Sequence, residues 1–159
     1  MFGIGRKTTG MKPGKVYREL CTAFDSVNFD YDSDEKNLVI YSVFAGNDLP
    51  IKLAVNIDTE MPILCFDALL DLQVPSGSEN AIISGLNEIN TALHFGAFVF
   101  EPENRHVIYR YHHLFAERSP SKDSILSITK MVIDTVDAND GNLRKLIPER
   151  TKFSDPMFS

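Results

Sequence analysis

Apolar positions recur along this chain with two different periods, and the period in force at each point predicts the element there. From Lys15 to Val27 the apolar residues Val16, Leu20, Ala23/Phe24 and Val27 return every three to four positions, the stripe of an amphipathic helix, with Pro13 as its start signal. Phe29–Asp32 and Asn37–Ala45 then read as two strands around an Asp-Ser-Asp-Glu-Lys turn, and Gly46-Asn47-Asp48 supplies the next turn. Ile51–Asp58 alternates, with Ile51, Leu53, Val55 and Ile57 on one face and Lys52, Ala54, Asn56 and Asp58 on the other: a half-buried strand. Met61–Leu72 is mostly apolar and fits a further strand, although its Leu69-Leu70-Asp71-Leu72 end also suits a helix.

Pro75-Ser76-Gly77-Ser78 interrupts the pattern. Ser78 and Glu79 open a second helix, whose stripe is Ile82, Leu86, Ile89 and Leu93 and which ends near His94, before Gly96. Ala97–Glu101 and His106–Leu114 face each other as a hairpin, with Pro102 at the turn position that favours it. Ser119-Pro120-Ser121 starts a long third helix with a stripe through Ile125, Ile128, Val132, Val136, Leu143 and Leu146. Gly141, in an Ala-Asn-Asp-Gly patch, marks a bend or a break, and Pro148 marks the end.

The expected order is α-β-β-β(-β)-α-β-β-α. Short links make the sheet antiparallel, so the class is α+β, with about five strands flanked by three helices. Leu38, Ile40 and Phe44 oppose Val39, Tyr41 and Val43, so this strand is apolar on both faces. Helices cover one face of a small sheet; the other, if it stays apolar, becomes a dimer or partner surface unless the third helix wraps far enough to bury it.

Composition adds bounds. With 159 residues and 43% hydrophobic content the chain fits one domain with a sizeable core and no need of disulfides or a structural metal. No run reaches the roughly 18 apolar residues that span a bilayer, and the N-terminal stretch lacks the apolar segment of a signal peptide. A soluble, cytoplasmic protein is expected.

The net charge of −6 divides unevenly. Residues 1–18 carry Arg6, Lys7, Lys12, Lys15 and Arg18 and no acid, for +5, and the remainder is −11. The expected organisation is a basic arm over 1–14, one domain over 15–147 and a loosely held tail over 148–159. Between Asp48 and Glu103 nine carboxylates face the single base Lys52, so duplex nucleic acid is not expected on the body. The arm could still meet nucleic acid, an anionic surface or an acidic protein.

Chemical motifs are sparse. Asp30, Asp32 and Asp34 alternate like calcium-loop ligands, but Glu35 and Tyr41 stand where that loop needs Gly and Glu. Gly5–Gly10 lacks the Gly-Lys-Ser/Thr ending of a phosphate loop. His112 and His113 are adjacent in a strand and point to opposite faces, whereas His106, Arg110 and His112 share one. Cys21 and Cys65 have no metal or redox spacing and read as inert core thiols. No metal or cofactor is expected. Asp67, His106 and His112 are the candidates for a small-molecule or catalytic site, which requires a pocket that gathers them; Asp67/Asp71 is a further carboxylate pair.

The stretch from Leu86 to Tyr111 carries a helix ending in Leu-Asn-x-x-Asn-x-x-Leu, then Gly-x-Phe, an acidic turn, and a strand ending in aromatic-Arg-aromatic. This pattern resembles the YbjN family, and the order of elements over roughly 15–147 fits as well. Asn90, Leu93, Gly96 and Phe98 are the structural residues of that pattern. Asn90 is read as satisfying helix-end backbone groups, Gly96 as permitting a tight exit and Phe98 as core. The resemblance implies a fold similar to type III secretion chaperones, frequent homodimers, a loose description as sensory-transduction regulators and no established enzymatic activity. The basic arm, the His-His pair and the Ala-Asn-Asp-Gly patch depart from it. The function expected is a non-enzymatic, dimeric, protein-binding module, chaperone-like or regulatory. An extended partner segment would pair with an edge strand or fill apolar pockets, with Tyr41, Phe98, Phe100, Tyr109 and Tyr111 as contact candidates.

Overall fold

The structure, a computed structural model, describes residues 12–115 and 118–147. Most of the basic arm and the whole of the tail over 148–159 therefore lie outside the described residues. Helix α1 spans Pro13–Asp25, so Pro13 and Gly14 belong to the helix rather than to the arm. Six strands follow, one more than the five expected: β1 Asp32–Asp34, β2 Val39–Phe44, β3 Ile51–Ile57, β4 Ile63–Gln73, then, after helix α2 over Glu79–Ala92, β5 Ala97–Glu101 and β6 His106–Leu114. Helix α3 closes the domain over Lys122–Lys145.

The strands form one antiparallel sheet in the order β1-β2-β3-β4-β6-β5. The first four make a meander of hairpins; α2 then carries the chain to the far edge, and β6 returns between β5 and β4. The Met61–Leu72 ambiguity resolves as strand. This segment lies at the centre of the sheet, where Leu64, Phe66, Ala68, Leu70 and Leu72 are buried on one face while Cys65 is buried on the other. Side chains apolar on both faces hide the alternation that marks a strand.

All three helices pack on the same face. α1 lies against β3, α3 against β4, β3 and β6, α2 against β5, and α3 touches both other helices. The core between helices and sheet holds Phe24, Leu20, Ile40, Leu53, Phe66, Leu70, Ile82 and Tyr109, each at most 1% exposed. Burying each such side chain contributes about 1.5–3 kcal/mol. α3 contributes Ile125, Thr129, Val132, Val136, Asp140 and Leu143, a stripe at three-to-four spacing that includes two polar residues. Thr129 is accommodated by a 2.8 Å bond from its hydroxyl to the Ile125 carbonyl.

Gly141 does not break α3, which runs on through it to Lys145. Its missing side chain admits the β2–β3 loop: a Cβ there would lie 2.6 Å from Asp48 Oδ2. The loop is fixed by helix carboxylates. Asp137 accepts from the Asn47 backbone N–H at 2.5 Å, and Asp140 Oδ2 from that of Leu49 at 3.1 Å.

Arg105 ties the β5–β6 turn to the connector that launches α2. Its guanidinium donates to the carbonyls of Val74 (2.7 Å) and Pro75 (2.6 Å) and meets Glu79 at 2.7 Å. Glu79 in turn accepts from the Gly77 N–H at 2.8 Å, which fixes the start of the helix in place of a Ser78 side-chain cap. The sequence of contacts places α2 beside the β5 edge.

Candidate functional site

Two surfaces stand out from this packing. The first is the sheet face opposite the helices. Register aligns Tyr41, Ala54, Asp67, Arg110 and Ala97 in one row and Val43, Lys52, Leu69, Ile108 and Val99 in the next. Val39, Asn56, Cys65 and His112 make a third row, and Ile63 pairs with Leu114 at the end. Tyr41, Val43 and Leu114 are 50%, 68% and 67% exposed, so the face offers solvent large apolar groups. At its centre Arg110 makes a two-pronged pair with Asp67, at 2.8 and 3.2 Å, and Glu101 stands 4.0 Å away. The Asp67 carboxylate raises the pKa of that guanidinium further above its ordinary value. Lys52 and Asp71 form a looser pair at 3.6 Å. The face thus carries both signs of charge inside an apolar surround.

The second surface is a groove of about 580 Å³ between α2 and the edge strand β5, lined by Ile83, Leu86, Asn87, Phe98, Phe100 and Pro102, among others. Asn90 lies along it and makes a contact the sequence did not disclose. Instead of satisfying the end of its own helix, its carboxamide donates to the Phe98 carbonyl at 3.0 Å and accepts from the Phe98 N–H at 2.8 Å. One side chain thereby takes the place of a neighbouring strand at that residue. The signal that could have found it is the eight-residue spacing from an Asn in the last turn of a helix to a strand just beyond a Gly turn.

Gly96 makes that turn. It sits at φ +63°, and a Cβ would stand 2.5 Å from the Tyr109 hydroxyl and 2.7 Å from the Arg110 carbonyl oxygen. Leu93 is half-buried against the core, and Phe98 is 2% exposed within it.

The contact candidates divide between the two faces. Tyr41 stands on the open face. Phe98 and Tyr109 are buried on the helix side, with rings 5.0 Å apart and the Tyr109 hydroxyl donating to the Phe95 carbonyl at 2.7 Å. Burial raises the Tyr109 phenol pKa. Phe100 and Tyr111 are half-buried on that same side, Phe100 in the groove.

Asp67, His106 and His112 are not gathered in a pocket. Asp67 is held by Arg110; His106 reaches Gln73 at 3.3 Å at the far end of β6; His112 is exposed, opposite Cys65. None of them lines the groove. Burial, followed by the nearby Asp67 and Asp58, pushes the Cys65 thiol up, so it stays protonated and unreactive at neutral pH. Both cysteines are free. Among the described residues no three His, Cys, Asp or Glu side chains are placed to hold a metal ion, and no helix is long and apolar enough to cross a membrane.

One comparison bears on these surfaces. The crystal structure of YbjN, a candidate transcription regulator from E. coli, superposes with a TM-score of 0.60 over 79% of this chain and 92% of that one. The chain shares its fold with YbjN. At 8% sequence identity the likeness lies in the backbone alone: three helices on one face of an antiparallel sheet. No family model matches the chain, and no curated protein does. The YbjN resemblance therefore holds at the level of fold.

Proposed function

We propose that this chain is a non-enzymatic regulatory module that acts through protein contacts. It works as a homodimer whose interface is the open sheet face, chaperone-like in presenting a folded platform to a partner protein. The observation that carries the reading is the placement of all three helices on one face, which leaves Tyr41, Val43, Val99 and Leu114 exposed on the other. Large apolar side chains exposed on one face of a sheet mark interaction sites.

The charges support a second copy as the occupant of that face. Lys52 and Arg110 lie beside Asp67, Asp71 and Glu101, so the face carries both signs of charge, which a self-complementary twofold contact can use. The fold likeness to a candidate regulator points the same way, and the acidic body favours protein over nucleic acid as partner.

Light scattering tests the reading. The wild-type chain should have twice the monomer mass. Val43→Glu and Leu114→Glu, at positions already exposed and so harmless to folding, should return it to one. Affinity purification from the native cell should recover a protein partner with the wild type. A wild-type monomer at all concentrations, with no recovered partner, would refute the proposal.

A further inference from the structure

The α2–β5 groove presents two unmet features. One is a backbone position. Phe98 turns its N–H and C=O outward to Asn90, so in the period of two Phe100 turns its own outward along the same edge, and among the described residues neither group has a partner. The other is an apolar trough in which Ile83, 52% exposed, lies with Leu86, Phe100 and Pro102. Glu79, the carboxylate among the lining residues, is already held by Arg105. Apolar fit and reach therefore set the occupant.

Reach selects the segment that follows α3. The end of that helix already lies on α2, where Leu146 packs on Gly85. At 3.6 residues per turn the Gly85 position is about 160° round α2 from both Ile83 and Asn87, at the same height. A path from there to the groove runs half-way round a helix about 10–12 Å across, roughly 16–19 Å. The face it crosses carries Ala81, Ser84 and Glu88, all exposed and two of them small. Residues 148–152 cross it, with Arg150 and Lys152 outweighing Glu149 beside Glu88. Phe153, six residues past Ile147, is reached at up to about 20–22 Å, and Met157 at up to about 33–36 Å.

The pattern of this segment fits an edge. Phe153 and Met157 fall on one side of an extended backbone. With the Met157 N–H and C=O turned to Phe100, Pro156 has its missing N–H on the solvent side, where an edge strand tolerates it. Asp155 falls on the groove side, where the exposed Asn87 carboxamide can donate to it. Residues 1–11 do not meet the same demand, because α1 lies beyond α3 from α2. With Phe2 to Lys7 seated, the five residue steps to Lys12 span at most about 18 Å, against two helix spacings of about 10 Å each.

We propose that residues 153–158 dock in this groove within the same chain as one short added strand. Met157 pairs with the Phe100 backbone, and the Met157 and Phe153 side chains lie against Phe100, Leu86 and Ile83. The groove is separate from the open sheet face, so this inference does not rest on the proposed dimer.

Amide hydrogen exchange on the full chain tests it. The Phe100 and Met157 amides should each exchange about tenfold or more slowly in the wild type than in Ile83→Glu, a change at an exposed position. Phe153→Ser/Met157→Ser, which alters no residue of the core, should release the Phe100 amide to the same extent. A Phe100 amide that keeps its wild-type rate in that double variant would overturn the proposal. So would protection lost in Phe2→Ser/Ile4→Ser, which assigns the groove to residues 1–11, or protection that grows with protein concentration, which assigns it to a second copy. Molecular mass, read separately, reports on the sheet face, so the two proposals fail independently.

Discussion

Replacing Gly96 with alanine should be a costly single-methyl change, and its cost can be worked from the contacts. The residue sits at φ +63°, where a side chain costs about 1–2 kcal/mol. The new Cβ would also stand 2.5 Å from the Tyr109 hydroxyl and 2.7 Å from the Arg110 carbonyl oxygen, neither of which is the free end of a flexible group. Moving the ring breaks its bond to the Phe95 carbonyl and orphans a buried hydroxyl, which costs about 1–3 kcal/mol more. The sum, about 2–5 kcal/mol, is a large part of the roughly 5–15 kcal/mol that holds a domain folded. Urea denaturation of Gly96→Ala should show a much lower midpoint with an unchanged slope. Tyr109→Phe supplies the internal control. Alone it loses the bond to the Phe95 carbonyl, about 1 kcal/mol; combined with Gly96→Ala it should cost less than the two single losses together, because the bond that the displaced ring breaks is already gone, although Cζ, 2.6 Å from the new Cβ, still has to move. A Gly96→Ala loss below about 1 kcal/mol, or strict additivity of the pair, would refute the reasoning.

Other outcomes follow from single contacts. Asn90→Ala leaves both backbone groups of Phe98 without their partner and should lower stability by about 1–3 kcal/mol in the same denaturation assay. Phe66→Ala, in a fully buried site, should cost about 3–5 kcal/mol. Asp140 is 0% exposed, and burial raises its carboxyl pKa, with Asp48 and Asp137 adding to the effect. The folded state therefore holds the proton more tightly than the unfolded chain. Stability from this group is fully present below the ordinary aspartate range and declines as pH climbs from there through the raised value. Asp140→Asn should flatten that decline and raise the midpoint at neutral pH, while its amide oxygen keeps the Leu49 N–H bond. Lys52→Ala removes only an exposed 3.6 Å pair and should change stability by less than about 0.5 kcal/mol.

What could be read in advance depended on how local its physical signal is. β5 and β6 begin and end where alternation and Pro102 place them, and β3 begins as placed at Ile51 and ends one residue early, at Ile57. β1 was shifted because Asp32–Asp34 is an acidic three-residue edge strand with no apolar pattern of its own; it exists only by pairing with β2. Gly141 invited a break in α3, but its lack of a side chain serves the Asp48 loop some 90 residues earlier, a contact no local pattern reports. The open face was foreshadowed by Val39, Tyr41 and Val43. The groove was not: Ile83 and Asn87 look like ordinary exposed helix positions until β5 is laid beside them. The contact candidates were chosen for aromatic character, and that property does not say which face a strand turns to solvent, so Phe98 and Tyr109 proved to be core.

The tether from Asn90 to Phe98 also bears on self-association. A bare sheet edge is a template on which further chains can stack without limit, and this sheet has two edges. One is three residues long and carries Asp32 and Asp34, which repel a copy of themselves. The other has a carboxamide already seated at its middle residue, fixed there by the chain itself, so an arriving strand finds one free rung instead of a ladder. That leaves room for a brief, reversible pairing and stops the growth of a fibril at its first step.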